Sequence, residues 1–323
     1  MKVLVVGGAG FLGSATARAL QEKCHEVVIA SHRISQVSEW SSGLKIVKWD
    51  ARNDWTLDEI DFDVILHFAG PSDDLSTQDA SANASRTTQR VISLSRRTGS
   101  SVLYVSTFQV FGRWSGLIRS TDEANPVSVY GQSHLQNEVL LKTALAEVPR
   151  GLLIVRPTNI VGLSANPSST QWHRVPAEFC LQAASSNAIQ LRSDSQTQRD
   201  FLSVTVFANR IASLVETHRH WDGRAVTIGA GKSYSLLQIA KLVRESAEEV
   251  LRRQILIIES SSNSAGELLQ IQAERWNEID LVSESKPELL FEIKNLLLLA
   301  QSVAAKQSLQ AGTKTRLEST ELA

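Results

Sequence analysis

The chain of 323 residues is 42% apolar, which suffices to bury the core of one large domain or of two intimately packed domains. Its net charge of −1 argues against a nucleic-acid partner, because such a partner requires a basic face. The two cysteines, Cys24 and Cys180, lie far apart without metal-ligand spacing, and no apolar run approaches the roughly 20 residues that span a membrane. A strand is predicted from residue 2 with no signal peptide before it. We therefore expect a reduced, cytoplasmic protein with no metal site, no nucleic-acid partner and no membrane span.

The first predicted strand, residues 2–6, runs directly into a glycine-rich loop that opens a helix, and residues 26–30 form the next strand. In this loop Gly7 permits the tight turn, Gly10 lets the backbone approach a pyrophosphate, and Gly13 lets the helix pack against the strand. The free N–H groups and the dipole at the helix start favour a phosphate anion. The segment predicts a dinucleotide-binding site, with an ordinary glycine turn as the alternative.

Short apolar strands recur through the first half of the chain. They are predicted at residues 2–6, 26–30, 45–48, 64–68, 101–106 and 152–156, and the helices between them include 78–98 and 131–147. Continuous apolar strands that alternate with amphipathic helices predict a parallel sheet that is covered on both faces. The predicted fold class is therefore α/β, with a Rossmann-like doubly wound parallel sheet.

After about residue 160 the alternation becomes less regular. Helices are predicted at 176–185, 204–217 and 235–251, a strand at 254–259, and a leucine-rich helix beyond residue 286. We interpret residues 1–160 as a dinucleotide-binding domain, to which segments from about 190–230 return, and residues 161–300 as mainly a smaller α/β substrate lobe. Residues 301–323 are predicted to form a disordered polar tail. The loop at 164–171 is either a mobile lid or a plain surface loop.

Five segments resemble, in the right order, the extended short-chain dehydrogenase/reductase family. They are Tyr104-Val-Ser-Thr-Phe-Gln-Val-Phe-Gly112, Val129-Tyr-Gly-Gln-Ser-His134, Arg156-Pro-Thr-Asn-Ile-Val-Gly162, Arg199-Asp-Phe-Leu-Ser-Val204, and Asn83 followed by Thr87. The resemblance covers residues 1 to about 240. This family includes NAD(P)-dependent nucleotide-sugar epimerases, dehydratases and ketoreductases, so the resemblance implies a nucleotide-activated sugar as the substrate and a Rossmann fold.

The resemblance implies Tyr130 as the catalytic acid/base and Thr107 as the hydroxyl group that holds the substrate oxygen, with Ser106 as a fallback. Hydride transfer at a carbinol carbon requires a proton to move at the oxygen. Members of the family lower the pKa of the tyrosine with the positive charge of the nicotinamide and with a lysine four residues later, on the same helix face. In this chain His134 replaces that lysine.

The substitution at His134 leaves three interpretations open. The enzyme works more slowly, and best below pH 7 where His134 gains charge. It recruits another base for a particular substrate. Or the site is degenerate, and the protein binds a nucleotide without turning over a substrate.

The end of the second strand bears on the choice between NADP and NAD. NAD-selective members carry an acidic residue there, whereas this chain has Ser31, His32 and Arg33, which would accept a 2′-phosphate. We therefore favour NADP over NAD, although Arg33 is alternatively a solvated loop charge. The resemblance also implies contacts of Asp50 with the adenine amino group. The complete set of expected cofactor contacts is Gly7, Gly10, Phe11, Leu12, Gly13, Ser31, His32, Arg33, Asp50, Ala51, Phe68, Ala69, Gly70, Asn83, Ser106, Tyr130, His134 and Pro157.

A further departure from the family pattern narrows the reaction. Dehydratases of the family follow the threonine with an Asp-Glu pair, whereas Phe108 and Gln109 stand here and neither titrates, so we do not expect 4,6-dehydration. Epimerisation or NADPH-dependent reduction of a keto-sugar remains, and the NADP preference leans toward reduction.

The expected substrate residues are Thr107, Asn159 and Arg199. The resemblance implies that Arg199 reaches the substrate diphosphate, the alternative being a structural ion pair with Asp200 or with a nearby carboxylate. Asn159 either contacts the substrate or satisfies backbone groups in a turn.

Two rival functions and one question of assembly stay open. The first rival is an NADP-binding sensor or assembly subunit that has lost catalysis, and the second is a reductase of a non-sugar carbonyl. Relatives dimerise through helices that correspond to about 80–98 and 130–147, but one sequence does not decide whether this chain forms a homodimer.

Overall fold

The computed structural model describes residues 1–32, 39–51, 57, 60–70, 78–147, 151–259, 267–283 and 286–320. In chain order the strands are β1 (Lys2–Val6), β2 (Glu26–Ser31), β3 (Lys45–Lys48), β4 (Val64–His67), β5 (Ser101–Val105), β6 (Gly116–Ile118), β7 (Leu152–Pro157), β8 (Asn159–Val161), β9 (Ala188–Leu191), β10 (Gln198–Ser203), β11 (Ala225–Ile228), β12 (Ser233–Ser235), β13 (Leu256–Glu259), β14 (Leu269–Ile271), β15 (Arg275–Trp276) and β16 (Ile279–Asp280). The helices are α1 (Phe11–Glu22), α2 (Gln78–Thr98), α3 (Val129–Leu145), α4 (Ala177–Ser186), α5 (Val204–Val215), α6 (Leu236–Leu251) and α7 (Lys286–Thr320).

A seven-stranded parallel sheet of order β11-β7-β5-β4-β1-β2-β3 forms the centre of the fold. The chain leaves β1 in one direction through β2 and β3, and it resumes on the other side of β1 with β4. The carboxyl ends of β1 and β4 therefore flank the point where the strand order reverses, which is where open α/β sheets bind ligands. The predicted Rossmann-like doubly wound fold is confirmed.

The sheet is covered on both faces because its strands are apolar at successive positions. In β1, Val3 and Val5 pack into the core formed with α1 and α5, while Leu4 and Val6 pack into the core formed with α2 and α3. This alternation follows from the two-residue period of a strand. The packing of α5 against α1 brings part of the chain after residue 160 back to the sheet.

The smaller part of the molecule contains a three-stranded sheet of order β12-β10-β8 and the two-stranded pair β13-β9. Helices α4, α6 and α7 enclose a separate apolar core there. This arrangement is the α/β lobe that the sequence predicts, although the division into domains at residues 160 and 300 stays a prediction.

Two parts of the sequence prediction need correction. The backbone of α7 is helical to Thr320, so residues 301–320 do not form the frayed tail that their polar composition suggested. The sequence does not predict strand β11, because its four residues, three of them apolar, are too few to distinguish a strand from a loop by pattern. Within the described part of the chain no helix has the length and apolar character needed to cross a membrane; the cytoplasmic location stays a prediction.

Candidate active site

The glycine-rich loop leaves β1 in a conformation that only small residues permit. Gly7 has a φ of +80°, and a Cβ there would lie 2.9 Å from the backbone nitrogen of Ala69. A Cβ at Gly13 would lie 2.5 Å from the carbonyl oxygen of Gly7, so the start of α1 packs directly on the turn. Gly10 precedes α1, is exposed, and provides no side chain to cap the first N–H groups of the helix. The loop thus leaves a helix N-terminus open to a phosphate, which fits the pyrophosphate of a dinucleotide.

The other predicted cofactor residues follow the carboxyl ends of neighbouring strands. Ser31 is buried at the end of β2, His32 beside it is exposed, and Asp50 and Ala51 are half-buried after β3. The segment Phe68–Ala69–Gly70 follows β4 and touches the glycine-rich loop, while Pro157 ends β7. The fold therefore brings these residues to one edge of the sheet, which fits a dinucleotide that extends across the switch point.

For two predicted cofactor residues, Arg33 and Asn83, the cofactor role stays a prediction. Arg33 lies outside the described residues, so the interpretation of Ser31 to Arg33 as a 2′-phosphate site stays a prediction. Asn83 is exposed on α2, where its carboxamide oxygen accepts a hydrogen bond of 3.0 Å from Arg86 Nη1. Its role toward a cofactor also stays a prediction.

Tyr130 and Thr107, the predicted catalytic pair, lie in contact. The side chain of Ser128 caps α3 by accepting from the N–H of Gly131 at 3.1 Å, and this fixes the first turn that carries Tyr130. Burial raises the pKa of Tyr130 to about 12, and the hydrogen bond from Thr107 partly offsets that rise because it stabilises the phenolate. Thr107 Oγ1 in turn accepts from the N–H of Gln109 at 3.2 Å. The two side chains form a unit that can hold and protonate an oxygen atom.

Phe108 and Gln109 have structural roles at the positions where dehydratases carry an acidic pair. Phe108 is buried, and Gln109 Oε1 accepts a hydrogen bond of 3.0 Å from Ser128 Oγ. Gln109 therefore links the turn after β5 to the start of α3 through this hydrogen bond.

His134 is buried on α3, one turn after Tyr130, with the two rings in edge-to-face contact at a centroid distance of 4.6 Å. Burial lowers the pKa of His134 to about 3, and the nearby His67 lowers it further. The expectation that His134 gains charge just below pH 7 is therefore wrong, since a desolvated imidazole stays neutral there. Its Nε2 atom is buried without a hydrogen-bond partner among the described residues, while its Nδ1 atom lies 2.7 Å from the hydroxyl of Tyr104.

Ser106 cannot serve as the fallback for Thr107. It is buried, and its hydroxyl donates to Glu138 Oε1 at 2.6 Å. Glu138 is itself buried and paired with Arg156 through two hydrogen bonds, of 3.0 Å from Nε and 2.7 Å from Nη2. This triad joins the residue after β5 to α3 and β7, and it leaves Thr107 as the hydroxyl that contacts Tyr130.

Arg199 does not form the alternative ion pair with Asp200. The carboxylate of Asp200 is buried and accepts hydrogen bonds from Thr158 Oγ1 at 2.6 Å and from the N–H of Ala230 at 2.9 Å. Arg199 is half-buried on β10, opposite Tyr234 of β12, and burial lowers the pKa of its guanidinium. Among the described residues no carboxylate lies within ion-pair distance of it. The arrangement leaves Arg199 as a partly desolvated cation that suits an anionic ligand.

Asn159 satisfies a backbone group, one of the two roles that its position allowed. Its Nδ2 donates to the carbonyl oxygen of Asp200 at 2.9 Å, across the parallel pair β8 and β10. A substrate contact of Asn159 stays a prediction.

The loop at 164–171 is anchored to the glycine-rich loop at its start. Ser164 donates to the carbonyl oxygen of Phe11 at 2.8 Å, and Asn166 Nδ2 donates to that of Ala9 at 2.7 Å. The hydroxyl of Ser14 bonds to that of Ser164 and accepts from the N–H of Asn166 at 3.2 Å. Because Ser164 and Asn166 are buried, neither a mobile lid nor a plain surface loop describes this part of the chain.

The sequence missed Tyr104, Asn137 and Glu138, which surround His134 and Ser106. Each is buried and polar, but nothing in a single sequence tells which of them meet, because their contacts depend on the packing of α3 against β5. Among the described residues no group of three His, Cys, Asp or Glu side chains could hold a metal ion.

Residues 3–229 match the model of the NAD-dependent epimerase/dehydratase family. A UDP-glucose 4-epimerase of Azospirillum brasilense is 25% identical, with 77% of this chain and 78% of that protein covered. The UDP-glucuronic acid decarboxylase 3 of Arabidopsis thaliana is also 25% identical, over 76% of this chain and 74% of its own length. A solved structure of the UDP-glucuronic acid 4-epimerase from Bacillus cereus, in complex with NAD, superposes with a TM-score of 0.76 at 18% identity, covering 94% of this chain and 99% of that one.

Proposed function

Because the chain belongs to the NAD-dependent epimerase/dehydratase family, we propose that it transfers hydride at a carbinol carbon of a nucleotide-activated sugar, as an epimerase or a ketoreductase. The observation that carries the proposal is the hydrogen bond between Thr107 and Tyr130 at the sheet edge where a dinucleotide fits. Curated relatives named as a UDP-glucose 4-epimerase and a UDP-glucuronic acid decarboxylase support a UDP-sugar or a similar sugar nucleotide as the substrate.

In this mechanism the residues of the chain handle the proton. A bound nicotinamide dinucleotide would supply the hydride acceptor or donor. Thr107 orients the oxygen of the substrate, and Tyr130 gives a proton to that oxygen in reduction or takes one in oxidation. Tyr130 is half-buried, and its hydrogen bond with Thr107 keeps the two hydroxyl groups next to each other.

The state of Tyr130 favours reduction. Since burial raises its pKa to about 12, the phenol remains protonated at neutral pH and is ready to donate. The neutral His134 adds no positive charge that would help the phenolate form. Deprotonation of a substrate alcohol is therefore the harder direction, and we propose reduction of a keto-sugar as the reaction that the site performs more readily.

Arg199 supports an anionic substrate group, because its half-buried guanidinium lacks a carboxylate partner among the described residues. We propose that it binds the diphosphate of the sugar nucleotide.

Ser31 supports NADP, since its small hydroxyl stands at the end of β2 where a carboxylate would repel a 2′-phosphate. NADP is thus the proposed cofactor and NAD the alternative. A homodimer stays a prediction.

The experiment combines binding with turnover. NADPH and NADH are titrated by fluorescence into the wild-type protein and into the variant Tyr130→Phe, and NADPH oxidation is followed on a panel of keto-sugar nucleotides. We expect preferential NADPH binding in both proteins, and a loss of turnover of at least about 100-fold in Tyr130→Phe, because the acid/base is removed. Retained dinucleotide binding in Tyr130→Phe is the control for correct folding of the variant. Turnover that survives in Tyr130→Phe would refute its assigned role.

A second variant tests the substrate class. Arg199→Ala should weaken sugar-nucleotide binding about 10-fold or more while dinucleotide binding stays unchanged. Arg192→Ala is the matched control, because Arg192 is an exposed arginine that pairs with Glu178 at 3.3 Å. Absence of sugar-nucleotide binding in all three proteins would favour the reductase of a non-sugar carbonyl, whereas equal binding in all three would refute the proposed role of Arg199.

The neutral His134 favours a second candidate function, a dinucleotide-binding sensor or assembly protein with weak or no catalysis. In that case the wild-type protein binds the dinucleotide but turns over no member of the panel. Dinucleotide binding without turnover in the experiment above would therefore favour this candidate. A wild-type protein that bound neither NADPH nor NADH would argue against both candidate functions.

A further inference from the structure

Tyr104 of β5 is fully buried, and its hydroxyl lies between two side chains of α3. The hydroxyl oxygen is 2.7 Å from His134 Nδ1 and 3.4 Å from Asn137 Nδ2. Asn137 is also buried. These three side chains form a hydrogen-bonded chain that the reaction described above does not use.

The donors and acceptors of these three side chains fix the direction of the two hydrogen bonds between them. The amide nitrogen of Asn137 can only donate, so the oxygen of Tyr104 accepts there. The single proton of the phenol is then directed at its other neighbour, Nδ1 of His134, which must accept it. Because a neutral imidazole carries one proton, the proton of His134 resides on Nε2.

The Nε2 atom of His134 is a donor that faces the dinucleotide edge of the site. It is buried and has no hydrogen-bond partner among the described residues. A Cβ built on Gly70 would lie 3.1 Å from Nε2 and 2.6 Å from Cε1, so the imidazole packs directly on the loop after β4. Buried donors without a partner are rare in folded proteins, and such an atom beside a binding site indicates a ligand contact.

We propose that Tyr104 and Asn137 are positioning residues that hold His134 in its Nε2–H tautomer, so that it presents one neutral donor to an oxygen of the bound dinucleotide. This rests on the dinucleotide binding of the family and not on turnover of a sugar. A neutral donor orients the ligand without bringing a positive charge next to Tyr130, and the site thereby differs from one that carries a lysine.

The titratable groups that face His134 do not disturb this state near neutral pH. They are His67 from β4, Tyr104 from β5 and Tyr130 from the first turn of α3. Burial lowers the pKa of His67 to about 3 and raises the pKa of both tyrosines. Glu138, one turn further along α3, is engaged by Arg156. We therefore expect His134 to keep one tautomer from pH 5 to pH 8.

The test is ¹⁵N NMR of the histidine side chains in the full-length protein, with the His134 signals identified by their absence in His134→Gln. We expect a proton on Nε2 and none on Nδ1 in the wild-type protein. Addition of NADP⁺ or NAD⁺ should shift the Nε2–H signal. In Tyr104→Phe the Nδ1–H tautomer should appear, and the dissociation constant of the dinucleotide should rise about 3- to 10-fold.

Asn137→Leu provides a second route if Tyr104→Phe does not fold. Without the amide donor the hydroxyl of Tyr104 can accept from His134, so both tautomers should be present. The control Tyr234→Phe should leave the His134 signals unchanged. A proton on Nδ1 in the wild-type protein, or an unchanged tautomer in Tyr104→Phe, would overturn the proposal. A protein that shows the expected tautomer but no turnover would contradict the proposed enzyme activity alone.

Discussion

His134 lies with its ring edge-to-face on Tyr130, at a centroid distance of 4.6 Å, and burial lowers its pKa to about 3. A lysine in its place would put a positive charge near the phenol, whereas the imidazole does not. Consequently only the hydrogen bond from Thr107 opposes the rise that burial causes in the pKa of Tyr130. At the scale of single residues, the departure from the lysine pattern thus changes the charge of the site.

The variant His134→Lys tests this electrostatic difference. An ammonium group within a few ångströms should lower the pKa of Tyr130 by about 1 to 3 units, because an opposite charge favours the phenolate. The pKa is measured by ultraviolet titration, with Tyr130→Phe as the blank, so the result does not depend on turnover. His134→Gln, a neutral side chain, is the matched control and should leave the pKa of Tyr130 near its wild-type value. A folded His134→Lys protein with an unchanged pKa of Tyr130 would contradict the argument.

At the scale of elements, the start of the loop at 164–171 connects the smaller lobe to the glycine-rich loop. Asn166 is buried and donates to the carbonyl oxygen of Ala9 at 2.7 Å, while its N–H bonds to Ser14 at 3.2 Å. The backbone that must present N–H groups to a pyrophosphate is therefore held partly by a residue more than 150 positions away. Substitutions in this loop should therefore change the affinity for the dinucleotide through the glycine-rich loop, without a direct contact to the dinucleotide.

Asn166→Ala should raise the dissociation constant of the dinucleotide about 5- to 50-fold, since it removes one buried hydrogen bond and leaves the carbonyl of Ala9 unpaired. The constant is measured by fluorescence titration. Ser168→Ala is the control, because Ser168 is exposed in the same loop and bonds to Asn166 rather than to the glycine-rich loop. Equal affinity in the two variants would show that the anchor does not support the site.

The packing of elements also explains which features of the fold and of the candidate site the sequence predicts and which it does not. Strands such as β1 and β5 were found because strands buried on both faces appear as continuous apolar runs. Family motifs, which carry local spacing, predict Thr107 and Tyr130 as site residues. The contact of Tyr104 with His134 and that of Asn166 with Ala9 were missed, because each depends on the packing of elements distant in the chain. The helical end of α7 was missed because its polar composition is also that of a tail.

At the scale of the whole molecule, two neutral histidines, His67 of β4 and His134 of α3, are buried in the interior. Burial lowers the pKa of both His67 and His134 to about 3, against about 6.5 for an unfolded chain. Below pH 6.5 the unfolded chain binds protons at these positions and the folded chain does not. Their contribution to stability is therefore complete above pH 6.5 and is lost as the pH falls toward 3.

The free energy of unfolding should accordingly fall between pH 7.5 and pH 5 by about 2 kcal/mol for each of these histidines. Urea denaturation at the two pH values measures the fall. In His134→Gln the fall should be smaller than in the wild-type protein by about that amount, because glutamine does not titrate. His220→Gln, at an exposed histidine, is the matched control and should keep the wild-type fall. The comparison uses the difference between two pH values, so a constant loss of stability in either variant cancels. An identical fall in all three proteins would mean that His134 is protonated in the folded state, and the neutral site proposed above would then be wrong.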